Sequence, residues 1–217
     1  SKKDGIECLF KAAALIRKLQ EIHHVNAVRL RSLKFNYDPE VYTKGVIDKL
    51  GNLNRLTVVN PLRLEIETQF LHSSEIQPAH KKLTMALNNR GITVYNNTPL
   101  LSAVNDTADE IHQLAYACRS IGIEFHHVYV AGLPLQKKWN ESRPVDISDV
   151  IDIATRVRKD GSGREIPRYI ILTELGEVDF GLTSKMIGDH GKVTVKLLPY
   201  DLDYFKGMEP EFSWPSS

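Results

Sequence analysis

The feature of this sequence that most constrains its fold is a repeated order of helix, glycine and strand. Amphipathic helical segments end near Gly51, Gly91 and Gly122, and a predicted strand follows each of them. Glycine ends helices because it adopts the left-handed backbone conformation without steric cost. Predicted strands begin near residues 24, 64, 92, 123 and 169, with helices between them. Repeated βα units of this kind predict a parallel sheet joined by crossover helices.

The individual elements are predicted from the period of their apolar residues, about 3.6 in helices and 2 in strands. Asp38 is predicted to cap and Pro39 to open the second helix, and Thr107 or Asp106 to cap the fourth. The predicted helices cover 6–22, 39–50, 78–89, 108–121 and 146–158. The predicted strands cover 24–31, 57–59, 64–70, 92–96, 123–130 and 169–172, with late strands near Phe180 and over 193–198.

These elements indicate an α/β fold. We expect a single α/β domain over residues 1–206, followed by a loose C-terminal tail over 207–217. A doubly wound sheet and a partial or whole (β/α) barrel are both consistent with the pattern. In either architecture, function is expected at the carboxyl ends of the strands. The positions that follow the predicted strands are Arg31, 68–72, 96–98, 129–132 and 173–177.

Composition narrows the function classes. The 217 residues are 42% hydrophobic and 25% charged, as is typical of a globular protein with a sizeable core. Lys and Arg number 28 and Asp and Glu 27, and this balance disfavours a nucleic-acid or membrane-surface partner. No apolar run approaches the ~20 residues needed to span a bilayer. The two cysteines, Cys8 and Cys118, exclude a disulfide scaffold and an all-cysteine metal site within this chain, which favours a reducing, cytoplasmic location.

Two pairs of side chains within the strands could carry chemistry. Glu65 and Glu67 alternate in one strand, so they are predicted to face the same way. Inside a barrel they could do acid–base work, whereas on an edge strand they would be solvated. His126 and His127 are adjacent in a strand, so simple alternation predicts that they point to opposite faces and cannot share a metal. His72, just past a strand end, is a further candidate to line a site.

Four stretches resemble, in the same order, motifs of the lysine 2,3-aminomutase family of radical S-adenosylmethionine (SAM) enzymes. Thr-Gln-Phe-Leu-His-Ser-Ser-Glu over 68–75 is similar to that family's Thr-His-Phe-Asn-His-Pro-x-Glu. Asn-Asn-Thr-Pro-Leu-Leu-Ser-Ala-Val-Asn-Asp over 96–106 is similar to its Asn-Gln-x-x-Leu-Leu-x-x-Val-Asn-Asp. His127-Val-Tyr129 with Gly132-Leu133 resembles its Tyr-x-Tyr-x-x-Asp-Leu, and Ser162-Gly163 before Pro167 resembles its Ser-Gly-x-x-Val-Pro.

The resemblance implies a partial (β/α) barrel of the radical-SAM type, related to the TIM barrel. It implies a [4Fe–4S] cluster, SAM and, in the aminomutases, pyridoxal phosphate (PLP), which together carry out the isomerase chemistry. The protein orients these cofactors and excludes water. The positions that match SAM-facing residues of the family are Gln69, Asn97 and Tyr129, with His72 nearby. Lys185 is the candidate for the lysine that binds PLP.

The sequence also departs from the family pattern. The Cys-x-x-x-Cys-x-x-Cys motif that binds the cluster is absent, so its ligands are expected from a missing N-terminal barrel segment or a partner chain. This chain alone is therefore expected to be inactive. The carboxylates that bind the lysine ammonium in the family correspond to Gly132 and Thr173. Because an ammonium group would lose its charge partners there, we expect an amino-acid-like substrate other than free lysine.

Two other hypotheses stay open. The chain could be a complete, non-catalytic binding or assembly module, whose strand edges and apolar interior are covered by a second copy or by a partner. It could also be a separate α/β-barrel enzyme that uses Glu65 and Glu67. We expect a homo-oligomer, with no nucleic-acid partner and no membrane partner.

Overall fold

The helices and strands alternate along the chain. The computed structural model describes residues 3–55, 61–163, 165–173, 176–179, 184–189 and 192–197. The helices are α1 (Leu9–Leu19), α2 (Lys34–Tyr37), α3 (Lys44–Leu53), α4 (Pro78–Asn88), α5 (Ala108–Ser120), α6 (Pro134–Asn140) and α7 (Ile147–Asp160). The strands are β1 (Ala27–Arg31), β2 (Arg63–Thr68), β3 (Thr93–Pro99), β4 (Glu124–Ala131), β5 (Arg168–Thr173), β6 (Gly176–Asp179), β7 (Ser184–Asp189) and β8 (Lys192–Leu197).

The strands that the structure describes form one large sheet and one small one. The large sheet has six strands in the order β1-β2-β3-β4-β5-β6. β1 to β5 are parallel, whereas β6 returns antiparallel to β5. β7 and β8 form a separate antiparallel pair. The prediction of an α/β fold with a parallel sheet is confirmed, and the consecutive strand order is compatible with part of a barrel.

One face of the large sheet is apolar and packs against helices. On this face, the strand residues Leu64, Ile66, Val94, Val128 and Tyr169 are fully buried. They belong to one core that also contains helix residues, among them Leu87 of α4, Leu114 of α5 and Val157 of α7. Burial of apolar surface at this layer is the main source of stability for such a fold.

The opposite face of the sheet carries charged and polar side chains, which contact one another across the strands. We call this surface the polar face; it comprises Arg29, Arg31, Glu65, Glu67, Tyr95, Asn97, His126, His127, Tyr129, Arg168, Glu177 and Asp179. The expectation of an apolar interior is therefore wrong for the described part of the sheet. A strand with one polar face is recognised by strict alternation of polar and apolar residues. Register shifts in the pairing of β4 interrupt this alternation, so the polar face was not evident from the sequence.

Several predicted boundaries shift. Pro39 opens only a short 3-10 turn, Pro39–Val41, and α3 begins at Lys44, where the Thr43 side chain accepts a hydrogen bond from the Val46 amide (3.4 Å). Gly51 lies inside α3, which continues to Leu53. Thr107 is confirmed as the cap of α5, in a reciprocal capping box with Glu110. The short helices α2 and α6 were not predicted.

Some predictions fall outside the described residues, namely the strand over 57–59, Phe180 and the tail over 207–217. In the described part of the chain, no helix is both long enough and apolar enough to cross a membrane.

Candidate functional site

A β-bulge in β4 sets the geometry of the polar face. Asn96 lies opposite Phe125 and the next residue, Asn97, lies opposite His127, so His126 is an extra residue in β4. The rings of His126 and His127 consequently stack, with centroids 3.7 Å apart and an interplanar angle of 21°. The prediction that these histidines point to opposite faces is wrong, because a bulge puts two residues of one strand opposite one of its partner.

A row of side chains joined by ring contacts crosses the polar face from β1 to β4. The guanidinium of Arg29 lies 4.4 Å from the centre of the Tyr95 ring, in cation–π geometry. The Tyr95 ring lies 5.1 Å from that of His126, and the His127 ring lies 6.0 Å from that of Tyr129. These contacts hold side chains of three strands, β1, β3 and β4, in one layer.

The charged groups of the polar face are paired with one another. Arg29 donates from Nε and Nη2 to the same Oε2 of Glu65, at 3.1 and 3.0 Å. Arg31 lies 3.7 Å from Glu67. Across β5 and β6, Arg168 Nε donates to Asp179 Oδ2 at 3.0 Å.

Glu65 and Glu67 share this face as predicted, and each has an arginine partner. Burial raises the pKa of Glu67, and the nearby Glu177 adds to this, while Arg31, Arg29 and a hydrogen bond with Asn97 oppose it. A raised carboxyl pKa beside an arginine fits a group that exchanges a proton more easily than an ordinary glutamate.

The structure brings Asn97 and Tyr129 together at the carboxyl ends of β3 and β4. Asn97 is 3% exposed and hydrogen-bonds to Glu67. Tyr129 donates its hydroxyl proton to Glu177 of β6, and burial together with this carboxylate raises its pKa. Gln69 follows β2 by one residue and is half-buried, and its carbonyl accepts a hydrogen bond from Asn36 Nδ2 at 3.0 Å. The SAM-facing role of these three residues stays a prediction.

His72 has a local structural partner. Its Nδ1 lies 2.8 Å from Ser74 Oγ and accepts a hydrogen bond from the Ser74 amide at 3.2 Å. It thereby caps the 3-10 turn Ser73–Glu75. This contact explains a histidine at position 72 without a ligand, so its assignment to a cofactor site stays a prediction.

Two of the stretches that carry the family resemblance are hydrogen-bonded to each other. The Asn96 side chain accepts from the Phe70 amide at 2.6 Å, and Thr98 Oγ1 donates to the Phe70 carbonyl at 2.6 Å. Asn105 donates to the carbonyls of Leu71 and Pro99, both at 3.0 Å. The amide and hydroxyl side chains of residues 96–105 therefore hold the loop after β2. Sequence reasoning missed this role, although the asparagines in the second motif were its signal.

Gly132 occupies a backbone position that excludes a side chain. Its φ is +104°, and a Cβ added there would lie 2.1 Å from the carbonyl oxygen of Leu172. A contact of this kind with a backbone atom excludes the Cβ of an aspartate, and the left-handed φ would add strain. The position that matches an ammonium-binding carboxylate of the family therefore cannot hold one in this backbone.

His127 is buried as a neutral imidazole. Burial lowers its pKa to about 3, helped by the adjacent His126 and by Arg168 and Arg29. The pKa of His126 is also lowered, mainly by burial and then by Arg29. Two neutral rings can stack closely because neither carries the charge that would repel the other.

The PLP candidate falls in a strand of which only the backbone is described. Lys185 belongs to β7, and its side chain lies outside the described residues, as does that of Thr173.

The two cysteines do not form a cluster site. Cys118 is fully buried in α5, and burial raises the pKa of its thiol, whereas Cys8 lies just before α1. Within the described ranges, no three or more His, Cys, Asp or Glu side chains are placed to hold a metal ion.

Comparison with known proteins supports the resemblance. No family model matches the chain. An L-lysine 2,3-aminomutase of Fusobacterium nucleatum is 26% identical over 161 residues, which is 74% of this chain and 35% of that protein. An L-lysine 2,3-aminomutase of Clostridium subterminale is 27% identical over 157 residues, or 72% of this chain and 35% of that protein. The chain thus spans about a third of the length of these curated relatives, and its predicted similarity to the lysine 2,3-aminomutase family is confirmed.

Proposed function

We propose that this chain, a relative of the lysine 2,3-aminomutases, is part of a radical-SAM, aminomutase-like isomerase acting on an amino-acid-like substrate other than free lysine. The parallel sheet supports this proposal, because its strands end at the motifs that carry the resemblance. The observation that carries the substrate proposal is Gly132. Its backbone excludes the carboxylate that the family resemblance would require for an ammonium group.

Asn97, Tyr129 and Gln69 are the residues that we propose to face SAM. They lie in or just after the carboxyl-terminal parts of three neighbouring strands, the side of the sheet on which ligands of parallel α/β proteins bind. SAM, when bound, supplies the radical that starts the rearrangement. The chain's own residues would bind and orient it: Asn97 offers an amide, and Tyr129 a hydroxyl oriented by Glu177.

The iron–sulfur cluster does not fit the residues of this chain. Cys118 is buried in the core as a thiol, and two cysteines are fewer than the three thiolates that the family motif provides. We therefore propose that the cluster ligands come from another barrel segment of the same protein or from a partner chain. PLP and its lysine at position 185 stay proposals that rest on the resemblance alone. The free thiols agree with a reducing, cytoplasmic location.

The proposal is tested on the intact protein as its native source makes it, reconstituted anaerobically with iron and sulfide. With dithionite as the reductant, we expect bound iron, and SAM cleavage to methionine and 5′-deoxyadenosine. Asn97→Ala and Tyr129→Phe should each lower cleavage about tenfold or more, the loss expected for a positioned hydrogen bond. Tyr37→Phe is the matched control, because Tyr37 is an exposed residue of α2. An intact protein that binds no iron and leaves SAM intact would refute the proposal.

A non-catalytic docking module is the second candidate, and α1 is the observation that favours it. Phe10 of α1 is 84% exposed and Leu15 of the same helix is 59% exposed. Large apolar side chains exposed to solvent are typical of contacts with another chain or segment. Sedimentation of the intact protein tests this hypothesis. If α1 docks on a second copy, the double variant Phe10→Ser, Leu15→Ser should sediment as a monomer and the wild type as an oligomer. The same sedimentation coefficient for both proteins would contradict self-association through α1.

A further inference from the structure

Two neighbouring side chains of the polar face hold buried polar atoms with unused hydrogen-bonding capacity. Asn97 of β3 and His127 of β4 lie directly opposite each other in the strand register. They are 3% and 5% exposed. Neither Oδ1 of Asn97 nor either ring nitrogen of His127 has a hydrogen-bond partner among the described residues.

Such atoms are uncommon in native proteins, because a buried polar group without a partner loses its hydration and gains nothing. Here three of them lie on one pair of residues. A neutral imidazole has one N–H donor and one nitrogen acceptor, and Asn97 Oδ1 is an acceptor. Together, the two side chains therefore present one donor and two acceptors.

The charged groups around this pair are matched to one another. Arg29 is bound to Glu65, Arg168 to Asp179 and Arg31 to Glu67. The remaining carboxylate of this face, Glu177, accepts the Tyr129 hydroxyl. The unused capacity thus lies on neutral groups, and the ion pairs around them give each arginine of the polar face a carboxylate partner. A carboxylate has no donor for Asn97 Oδ1, and an ammonium has no acceptor for the imidazole N–H. A carboxamide has both an N–H donor for Asn97 Oδ1 and a carbonyl acceptor for the imidazole N–H, and the two lie in one plane.

We infer that Asn97 and His127 form a subsite for a neutral carboxamide group, carried by the side chain of an amino-acid ligand. The His126 ring, stacked on His127, holds the imidazole in place and closes one side of the subsite. The inference deepens the proposed function, because it names the substrate class as an amino acid with a carboxamide side chain. Asn97 is also one of the residues proposed to face SAM, but glutamine binding is measured without SAM, so it can fail or succeed independently of SAM cleavage.

The test uses the intact protein with ¹⁵N-labelled histidine, in which long-range ¹H–¹⁵N spectra report the ring nitrogens. L-Glutamine is titrated, with L-glutamate and L-lysine as probes of similar size that carry a charge instead of the amide. We expect a saturable shift of both His127 ring nitrogens with glutamine. Binding of glutamate and lysine should be at least about tenfold weaker.

Variants distinguish binding at the subsite from binding elsewhere on the protein and from loss of folding. His127→Phe removes both ring nitrogens, so it identifies the His127 signals and should abolish glutamine binding. Asn97→Ala removes the Oδ1 acceptor and should weaken glutamine binding about tenfold or more. His24→Gln, at an exposed histidine before β1, should leave the affinity unchanged. Equal shifts with lysine or glutamate would overturn the inference, and so would the absence of any saturable shift with glutamine. Circular dichroism of His127→Phe and Asn97→Ala confirms that lost binding is not lost folding.

Discussion

The imidazole rings of His126 and His127 stack at 3.7 Å, although the two residues are neighbours in one strand. Strict alternation after Phe125, which faces the core, would put His127 and Tyr129 in the core and Val128 on the polar face. The extra residue at position 126 reverses this. Val128 and Val130 therefore join the core, while His127 and Tyr129 line the candidate site.

Deletion of His126 is expected to keep the fold. It removes the extra residue and restores regular pairing of β3 with β4, with Phe125 and Val128 still in the core. Deletion of Val128 instead forces His127 or Tyr129 into the core. We expect a loss of about 1–2 kcal/mol in the free energy of unfolding for the first deletion and more than about 4 kcal/mol for the second. Urea unfolding measures both, and equal losses would contradict the role of the bulge.

Gly132→Ala is expected to destabilise the protein by about 3 kcal/mol or more. The change adds left-handed strain of about 1–3 kcal/mol to a clash with the Leu172 carbonyl. Gly163→Ala is the matched control, because an added Cβ there has no neighbour within 4 Å. The control should change the free energy of unfolding by no more than about 0.5 kcal/mol. Similar urea midpoints for the two variants would show that residue 132 has room for a side chain.

The stability contributed by His127 is expected to depend on pH. Its pKa falls from 6.5 in the unfolded chain to about 3 in the folded protein, so the unfolded state binds more protons between these values. Stability is therefore fully present above pH 6.5 and is lost as the pH falls from 6.5 towards 3.

The measurement is the free energy of unfolding from pH 4 to 8, for wild type and for His127→Gln. The wild type should lose up to about 1.4 kcal/mol per pH unit more than the variant below pH 6.5. His24→Gln, at an exposed histidine, should follow the wild type. Parallel curves for wild type and His127→Gln would mean that this imidazole is not buried.

Glu65→Gln is expected to cost about 1–3 kcal/mol, because it removes the charge that Arg29 binds through two hydrogen bonds. The Glu65 side chain is 8% exposed and that of Arg29 is 33% exposed, so solvent screens this ion pair less than a fully exposed one. Asp152→Asn removes an ion pair with Arg156 at a side chain that is 64% exposed, and should cost less than about 1 kcal/mol. Thermal unfolding of both variants measures the two losses of stability. A larger loss for Asp152→Asn than for Glu65→Gln would contradict the argument from burial.

The elements themselves were largely predictable from local patterns. The stripe of α5, with Ile111, Leu114 and Cys118, faces the core as its period predicts, and Thr107 caps it. The start of α3 was not predictable from Asp38 and Pro39, because Thr43 is an equally good cap and begins the longer helix. Local sequence patterns locate a helix well, but they do not show which of two nearby capping residues begins it.

The candidate site was predictable only in part. Asn97 and Tyr129, predicted to follow their strands, lie inside β3 and β4, which extend further than their apolar patterns indicate. Asn97 is opposite His127 and Tyr129 is opposite Pro99, two residues further along both strands. The pairing of Tyr129 with Glu177 was not predictable, because it depends on the antiparallel return of β6. The stacking of His126 on His127 was not predictable for a similar reason, since a bulge depends on the pairing of two strands rather than on the sequence of one.

Local patterns of the sequence predicted the α/β class, a parallel sheet and the resemblance of four motifs, because periodicity and spacing are local properties of the chain. Only the tertiary structure decided which face His127 occupies, which charges are paired, and that Gly132 has no room for a carboxylate. Each of these depends on the register between strands, which hydrogen bonding across the sheet sets and which no single strand encodes.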